Sequence, residues 1–182
     1  MSPEWPLETE RLTLRPWEDG DFEAFAEIQA APETARWLYN DPRSRDAARA
    51  HFERKRRSAL EAEDDWMRCA GIERATGALV GDFSFHWVSI EHRTGEIGYV
   101  TAPAHKGKGY AAEGARALLD WAFRDAGFHR VVGRIEPRNA ASARVLEKLD
   151  MRHEALFVEN EWVKGEWQSE SVYAILAREW LR

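Results

Sequence analysis

The chain has 182 residues, and its 26 Lys and Arg against 32 Asp and Glu give a formal net charge of −6 at pH 7. The length suits one domain, and 9 Trp, 8 Phe and 4 Tyr supply a core that disordered chains lack. No stretch approaches the roughly 18 apolar residues of a membrane span, and Cys69 is the only cysteine, which excludes a disulfide framework. We therefore expect a single domain over residues 1–182, with no nucleic-acid or membrane partner for this acidic chain. One thiol and no visible export signal favour the cytoplasm.

The first third of the chain shows one strand pattern and two helix patterns. Residues 11–15 alternate with period two, which predicts an opening strand. Residues 19–31 place Phe22 and Phe25 on one stripe, which predicts a helix. A second, highly charged helix is expected from the N-cap Ser44 to about Glu63. We interpret the basic run within it, residues 54–57, as a solvated helix face rather than a nucleic-acid patch.

The remainder of the chain predicts strands first and then a change of pattern. Strands are expected at residues 66–73, 79–88 and 94–101, joined by short polar turns typical of antiparallel connections. A helix at 111–125, a strand at 130–135, a helix after Asn139 and two late strands near 152–159 and 167–176 follow. Antiparallel strands, one βαβ unit and a final hairpin indicate a mixed α/β sheet.

The segment most informative about function is residues 106–111, which lies between a strand and a long helix. Gly107 and Gly109 permit positive φ, so successive backbone N–H groups can point into one concavity. The N-terminus of the following helix favours an anion there. Lys106 and Lys108 add positive charge nearby. The sequence therefore predicts a diphosphate site at this turn.

Two nucleotide-binding motifs compete for the same segment. A Walker loop needs G-x-x-x-x-G-K-[ST], which this sequence lacks. A Rossmann fingerprint is formally satisfied by Gly107, Gly109 and Ala112, but five residues separate the strand from the glycines and the pattern contains only one βαβ unit. A dinucleotide site stays an alternative.

Residues 106–111 resemble the [QR]-x-x-G-x-[GA] acetyl-CoA signature of the GCN5-related N-acetyltransferases (GNAT), with Lys106 in the first position. Residues 9–16 and 96–99 are similar to the branch that acetylates ribosomal-protein N-termini, the RimJ/RimL-like enzymes, and residues 139–149 match its N-x-x-S-x-x-V-x-E-K-L pattern. The resemblance implies a GNAT-type mixed sheet of six to seven strands flanked by helices, with an antiparallel N-terminal part followed by one βαβ unit.

The function implied by the resemblance is transfer of an acetyl group from acetyl-CoA to a primary amine, by direct attack in a ternary complex and without a metal. The acceptor would be a protein N-terminus or a small-molecule amine, and a homodimer stays open. In this family the N-terminal helices and the late hairpin choose the acceptor, here residues 33–42 and 159–167.

The resemblance also implies which residues meet the cofactor. The backbone of the strand would contact the pantetheine arm, and the backbone amides of the loop would bind the pyrophosphate. The side-chain amide of Asn139 would also contact the cofactor; its alternative role is that of a plain helix N-cap. The expected cofactor-binding residues are Tyr99, Val100, Thr101, Lys106, Gly107, Lys108, Gly109, Tyr110, Ala111 and Asn139.

Acyl transfer from a thioester needs a neutral amine, a polarised carbonyl and a stabilised thiolate. Glu96 is the expected base; the alternative is a strand carboxylate paired with Arg93 or another cation. Many family members carry a Tyr seven residues after the Asn that corresponds to Asn139, and this chain has Leu146 there. Ser142 is therefore the expected substitute acid. The alternative is that its hydroxyl bonds only into its own helix turn. The missing Tyr keeps a non-catalytic CoA-binding module as the alternative function. His86 shares a strand face with Asp82 and Ser84 and is interpreted as a surface histidine, with a position near the substrate as the alternative.

Overall fold

The computed structural model describes all 182 residues. Its strands are β1 (Leu7–Glu8), β2 (Leu12–Arg15), β3 (Trp66–Glu73), β4 (Leu79–Ser89), β5 (Thr94–Thr101), β6 (Arg130–Ile135), β7 (Arg152–Val163) and β8 (Glu166–Leu176). Its α-helices are α1 (Phe22–Ala30), α2 (Pro32–Ala35), α3 (Arg45–Arg56), α4 (Tyr110–Arg124), α5 (Ala140–Lys148) and α6 (Ala177–Trp180). Even α4, the longest helix, lacks the length and apolar character of a membrane-crossing segment.

The eight strands form one sheet in the order β1-β2-β3-β4-β5-β6-β8-β7. All neighbours are antiparallel except β5 and β6. The predicted mixed α/β class is confirmed, and the sheet exceeds six to seven strands because the two-residue β1, too short to leave a sequence pattern, adds an edge. A single parallel pair is not the doubly wound sheet on which the dinucleotide alternative depends.

The parallel pair is short, and its end opens a cleft in the sheet. β5 and β6 are paired only through Thr94–Arg130, Gly95–Val131 and Glu96–Val132. Beyond Glu96, β5 continues to Thr101 beside β4, while β6 continues to Ile135 beside β8. The two strands therefore part with Glu96 at the apex of the opening.

Helices cover both faces of the sheet. On one face, α4 and α5 pack on the inward side chains of β4 and β5, such as Phe83, Phe85 and Ile97. On the other face, α1 and α3 contribute Phe25 and Phe52 to a separate cluster. The polar residues Asp82 and Ser84 of β4 are buried in this structure.

Lys55 is the clearest departure from the sequence interpretation. The helix α3 ends at Arg56, not near Glu63, and Lys55 follows Ala48 and Phe52 on its buried stripe. Its side chain is 3% exposed and forms a salt bridge with Asp82 of β4, which is 6% exposed. The solvated face predicted for residues 54–57 is therefore wrong for Lys55, because a seven-residue spacing returns it to the sheet side of the helix.

Replacing Asp82 alone by Leu should lower the free energy of unfolding by about 3–5 kcal/mol, because it leaves the Lys55 ammonium buried without a counter-charge. The double variant Lys55→Met with Asp82→Leu should recover most of that loss, since no charge remains to be desolvated. Urea unfolding of the three proteins measures both effects. An equal loss of unfolding free energy in the single and the double variant would contradict the assignment of the cost to an unpaired Lys55 ammonium.

Candidate functional site

The loop before α4 presents a row of free amides. The N–H groups of His105 and Lys106 bond back to Ala102 and Pro103, but those of residues 107–112 make no backbone hydrogen bond. A helix always leaves its first N–H groups unpaired, and here the loop adds those of Gly107 and Lys108. Six consecutive donors at the positive end of a fifteen-residue helix form a site suited to a diphosphate.

The two loop glycines provide the backbone conformation that the row of amides requires. Gly107 has φ +76° and Gly109, the N-cap of α4, has φ +88°. A side chain at Gly109 would be strained by this φ, and its Cβ would lie 3.3 Å from Nη2 of Arg11. The backbone, rather than any side chain, therefore makes the site.

The loop is held from the far end of the chain. Arg11 donates through Nη1 to the carbonyl of Lys108 (3.0 Å) and through Nε to Glu113 of α4 (2.7 Å). Glu113 also accepts hydrogen bonds from the backbone N–H of Arg11 (2.7 Å) and from the hydroxyl of Thr9 (2.6 Å). We call Thr9, Arg11 and Glu113 the loop clamp. Sequence reasoning missed it, since residues 11–15 were interpreted as an opening strand and residues 9–16 as a resemblance to the RimJ/RimL-like branch.

The remaining loop residues contribute unequally. The ring of Tyr110 is buried, and its hydroxyl donates to the Glu73 carboxylate, so Tyr110 contributes only its backbone to the loop. Ala111 likewise contributes its backbone. The ammonium of Lys106 lies 3.7 Å from Glu33 of α2. Lys108 is exposed, and its charge adds to the potential at the row of amides.

Three further expected residues lie on the free edge of β5. Tyr99, Val100 and Thr101 pair with β4 on one side, and β6 has already left the other side. Tyr99 packs toward the α4 face and Val100 toward the α1 and α3 face. This free edge of β5 leads from Glu96 toward the loop of residues 107–112. An extended ligand that reached from the loop to Glu96 would follow this edge.

Glu96 lies at that apex in a mostly desolvated setting. Its side chain is 19% exposed, and Oε2 is 3.3 Å from Nε of Arg134 on β6. Arg134 also donates to Glu170 of β8 (2.8 Å). Burial raises the pKa of Glu96, the nearby Arg134 opposes that rise, and the charge of Glu170 adds to it. The cation beside Glu96 is thus Arg134, not Arg93. Its effect does not cancel that of burial, and the pKa of Glu96 stays above the ordinary value of a glutamate.

Asn139 and Ser142 lie across the opening, at the start of α5. Asn139 is the N-cap, and its Oδ1 accepts the backbone N–H of Ser142 (3.2 Å), while Nδ2 still carries two donors. The hydroxyl of Ser142 is 2.9 Å from the hydroxyl of Tyr99, which also donates to the Ser142 carbonyl (3.1 Å). Leu146, at the family Tyr position, is buried in the core. Sequence reasoning assigned Tyr99 a backbone role only and missed this contact.

The two segments expected to choose the acceptor meet over the Glu96 side of the sheet. Tyr39, which follows α2, donates to Glu161 of β7 (2.8 Å). Lys164, in the turn of the β7–β8 hairpin, donates to the carbonyl of Ala35 (2.7 Å). An acceptor that reaches Glu96 on this side would pass beneath these contacts.

Comparison with known proteins shows the family. A family model described as an acetyltransferase (GNAT) domain matches residues 11–152. The chain belongs to the GNAT acetyltransferase family. A Bacillus subtilis (strain 168) relative named as the uncharacterized N-acetyltransferase YnaD is 31% identical over 174 residues, which are 96% of this chain and 98% of the relative.

Solved GNAT structures share the fold. An acetyltransferase (GNAT family) from Bacillus anthracis has 32% sequence identity and a TM-score of 0.85, covering 96% of this chain and 99% of that one. Mycobacterium smegmatis RimJ, solved in complex with CoA-disulfide, has a TM-score of 0.81 at 23% identity, covering 94% of this chain and 84% of that one. At that identity the likeness shows the fold alone.

Gly109→Ala should weaken CoA binding by about tenfold, because an alanine avoids φ +88° and the amides must be realigned at a cost of about 1–2 kcal/mol. Isothermal titration calorimetry with CoA measures the change. Gly77→Ala is the matched control, since Gly77 has φ +74° in the turn between β3 and β4 with no atom within 4 Å of an added Cβ. The same dissociation constant in both variants would contradict the assignment of the amides.

Proposed function

We propose that the chain transfers the acetyl group of acetyl-CoA to a primary amine, by direct attack within a ternary complex in the cytoplasm. The observation that carries the proposal is the row of six free amides, joined by a free strand edge to a desolvated carboxylate. Acetyl-CoA would supply an acetyl group activated as a thioester. The location is supported by the single, buried thiol of Cys69, which suits a reducing compartment.

The chain's own groups fit the donor along its length. The amides of residues 107–112 bind the diphosphate, and the edge of residues 99–101 hydrogen-bonds the extended arm. The Nδ2 group of Asn139 donates to the arm from the other wall of the opening. Backbone N–H groups near Val100 polarise the thioester carbonyl, as preorganised donors do in acyl transfer.

Glu96 accepts the proton of the attacking amine. An α-amine has a pKa of about 8 and a lysine side chain about 10.4, so both are largely protonated at pH 7 and need a base. A carboxylate whose pKa is raised by burial is a better base than an exposed one. The nearby Arg134 opposes that rise in pKa and so favours the ionised form.

Ser142 stabilises the leaving thiolate in place of the absent tyrosine. Its hydroxyl faces the opening from α5 and is held by the hydroxyl of Tyr99. Burial raises the pKa of Tyr99, and its hydroxyl proton is shared between the carbonyl and the hydroxyl of Ser142. The two hydroxyls together form the donor that the family places at position 146.

We assign the chain to the RimJ/RimL-like branch, with a protein N-terminus or a small-molecule amine as acceptor. The N-x-x-S-x-x-V-x-E-K-L pattern of residues 139–149 supports the branch, because its Ser142 is suited to the role of the acid that Leu146 cannot fill. The contacts Tyr39–Glu161 and Lys164–Ala35 support an acceptor that enters beside Glu96.

Glu96→Gln should lower kcat by roughly 100-fold and Ser142→Ala by roughly 10- to 100-fold, with little change in the KM for acetyl-CoA. Thiol release from acetyl-CoA with a panel of amino-terminal peptides, polyamines and other primary amines measures both. Glu91→Gln, an exposed carboxylate in the turn between β4 and β5, is the matched control. CoA binding with no turnover of any amine would instead favour the non-catalytic module.

The pH dependence of kcat should move in opposite directions in two variants. Turnover needs ionised Glu96, so the rate is lost as the pH falls through its pKa. Arg134→Gln removes the cation that opposes the rise in that pKa and should move the acidic limb to higher pH. Glu170→Gln removes a repelling charge and should move the limb to lower pH. Shifts in the same direction would contradict the role of Glu96.

A further inference from the structure

His86 lies between Glu96 and the protein surface. In the β4–β5 ladder it is directly opposite Glu96, and its Nδ1 is 3.9 Å from Oε2 of that residue. Its Nε2 is 3.5 Å from Oδ1 of Asp64, whose side chain is 86% exposed. The imidazole therefore lies between the carboxylate of Glu96 at the apex of the cleft and the exposed carboxylate of Asp64. The expectation of a plain surface histidine is wrong.

The plane of the imidazole is fixed by Trp66. Trp66 is opposite His86 in the β3–β4 ladder, so the three side chains form a row across three strands. The two rings stack with centroids 4.3 Å apart and planes 2° apart. The stacking keeps the imidazole from tilting, and the nitrogen-to-carboxylate distances show that Nδ1 lies on the side of Glu96 and Nε2 on the side of Asp64.

The position of Asp64 is also fixed by the backbone. The N–H of Asp64 donates to the carbonyl of Trp87 (2.8 Å), and the N–H of Trp87 donates to the carbonyl of Asp65 (2.9 Å). These bonds hold the segment before β3 against the residue that follows His86. The Asp64 carboxylate is thereby kept beside Nε2 although its side chain is exposed.

The inner nitrogen of the ring has no hydrogen bond. Nδ1 of His86 is buried and unpartnered, whereas buried polar groups in native proteins are nearly always paired, and an exception calls for an explanation. Catalytic hydrogen bonds are commonly long before substrates bind and shorten in the complex. At 3.9 Å, Nδ1 and Oε2 of Glu96 are not hydrogen-bonded, but a side-chain shift of about 1 Å would bring them within proton-transfer distance.

The proposed reaction creates a need for such a contact. Each turnover leaves the proton of the amine on Glu96, whose side chain is only 19% exposed and is paired with Arg134. Until that proton leaves, Glu96 cannot act as a base again. Arg134 cannot accept it, because a guanidinium is already fully protonated.

We propose that His86 carries the proton from Glu96 to solvent beside Asp64. This inference rests on the proposed function. Nδ1 accepts the proton of the Glu96 carboxyl group, and the imidazolium then loses its Nε2 proton to Asp64 and from there to water. Water that enters when the product leaves restores the starting tautomer by exchange at both nitrogens. His86 acts through Glu96 and does not touch either substrate.

The charges around His86 suit this role. Glu96 on β5 and Asp64 before β3 face it as anions, and Arg68 on β3 and Arg134 on β6 act on it as cations. Burial is the largest effect and lowers the pKa of His86, which keeps the ring neutral and able to accept a proton. Burial raises the pKa of Glu96. The two shifts bring the pKa values of the two groups closer together, which favours proton transfer between them.

His86→Gln should lower kcat by roughly 10- to 100-fold while leaving the KM for acetyl-CoA unchanged. Added imidazole should restore turnover in proportion to its concentration, because a diffusible base replaces the missing relay. His92→Gln, in the exposed turn between β4 and β5, is the matched control and should behave as the unaltered protein. A kcat within twofold of the unaltered protein, or a loss that imidazole does not restore, would overturn the relay.

A second measurement does not depend on knowing the acceptor. The His86 ring is titrated by NMR in the unaltered protein and in Glu96→Gln and Asp64→Asn, with circular dichroism to check folding. Each variant removes an anion that favours the imidazolium, so the pKa of His86 should fall in both. If no amine is turned over, the proposed function fails while this titration still tests the contact, and an unchanged titration in Glu96→Gln overturns the relay.

Discussion

The parting of β5 from β6 is the constraint on which the rest of this structure depends. Three pairs of residues join the two strands, and beyond Glu96 this edge of β5 has no neighbouring strand. An unpaired strand edge is usually a hazard that proteins hide. Here it faces an opening within the sheet, where its backbone groups can bind a ligand without being exposed to another chain. Glu96, the last paired residue, is thereby fixed at the closed end.

The opening also lets the two faces of the sheet cooperate. The row of amides and Ser142 belong to the side covered by α4 and α5, whereas Glu96 and His86 belong to the side covered by α1 and α3. A continuous sheet would separate these groups. Because the strands part, donor and acceptor can approach from opposite faces and meet at the apex, and the proton can leave on the acceptor side.

Local patterns were enough to predict most of the fold. β3, β5 and β6 begin and end at the predicted residues, because alternation and turn residues mark them within the chain itself. The amide row was predictable for the same reason, since the glycines and the helix start are adjacent in sequence. The end of α3 was missed because its charged residues carry no apolar period, and Lys55 was missed because its counter-charge is on another element.

The contacts that sequence reasoning could not supply join distant parts of the chain. The Tyr99–Ser142 pair spans 43 residues and the Thr9–Glu113 bond spans 104. His86 looked like a solvent-facing residue, since alternation in a strand does not show that a tryptophan on the next strand stacks against it. Such pairs depend on strand register and helix placement, which exist only in the folded chain.

The loop clamp has a consequence for the dynamics of the N-terminal edge. Thr9 and Arg11 lie next to β1 and β2, the outermost strands, and such edges open locally before the rest of a sheet does. When they open, the carbonyl of Lys108 loses its partner and the amide row loses its support. Local fraying at this margin of the sheet is therefore thermodynamically linked to occupancy of the site that the loop clamp supports, so a bound donor slows amide exchange in β1 and β2.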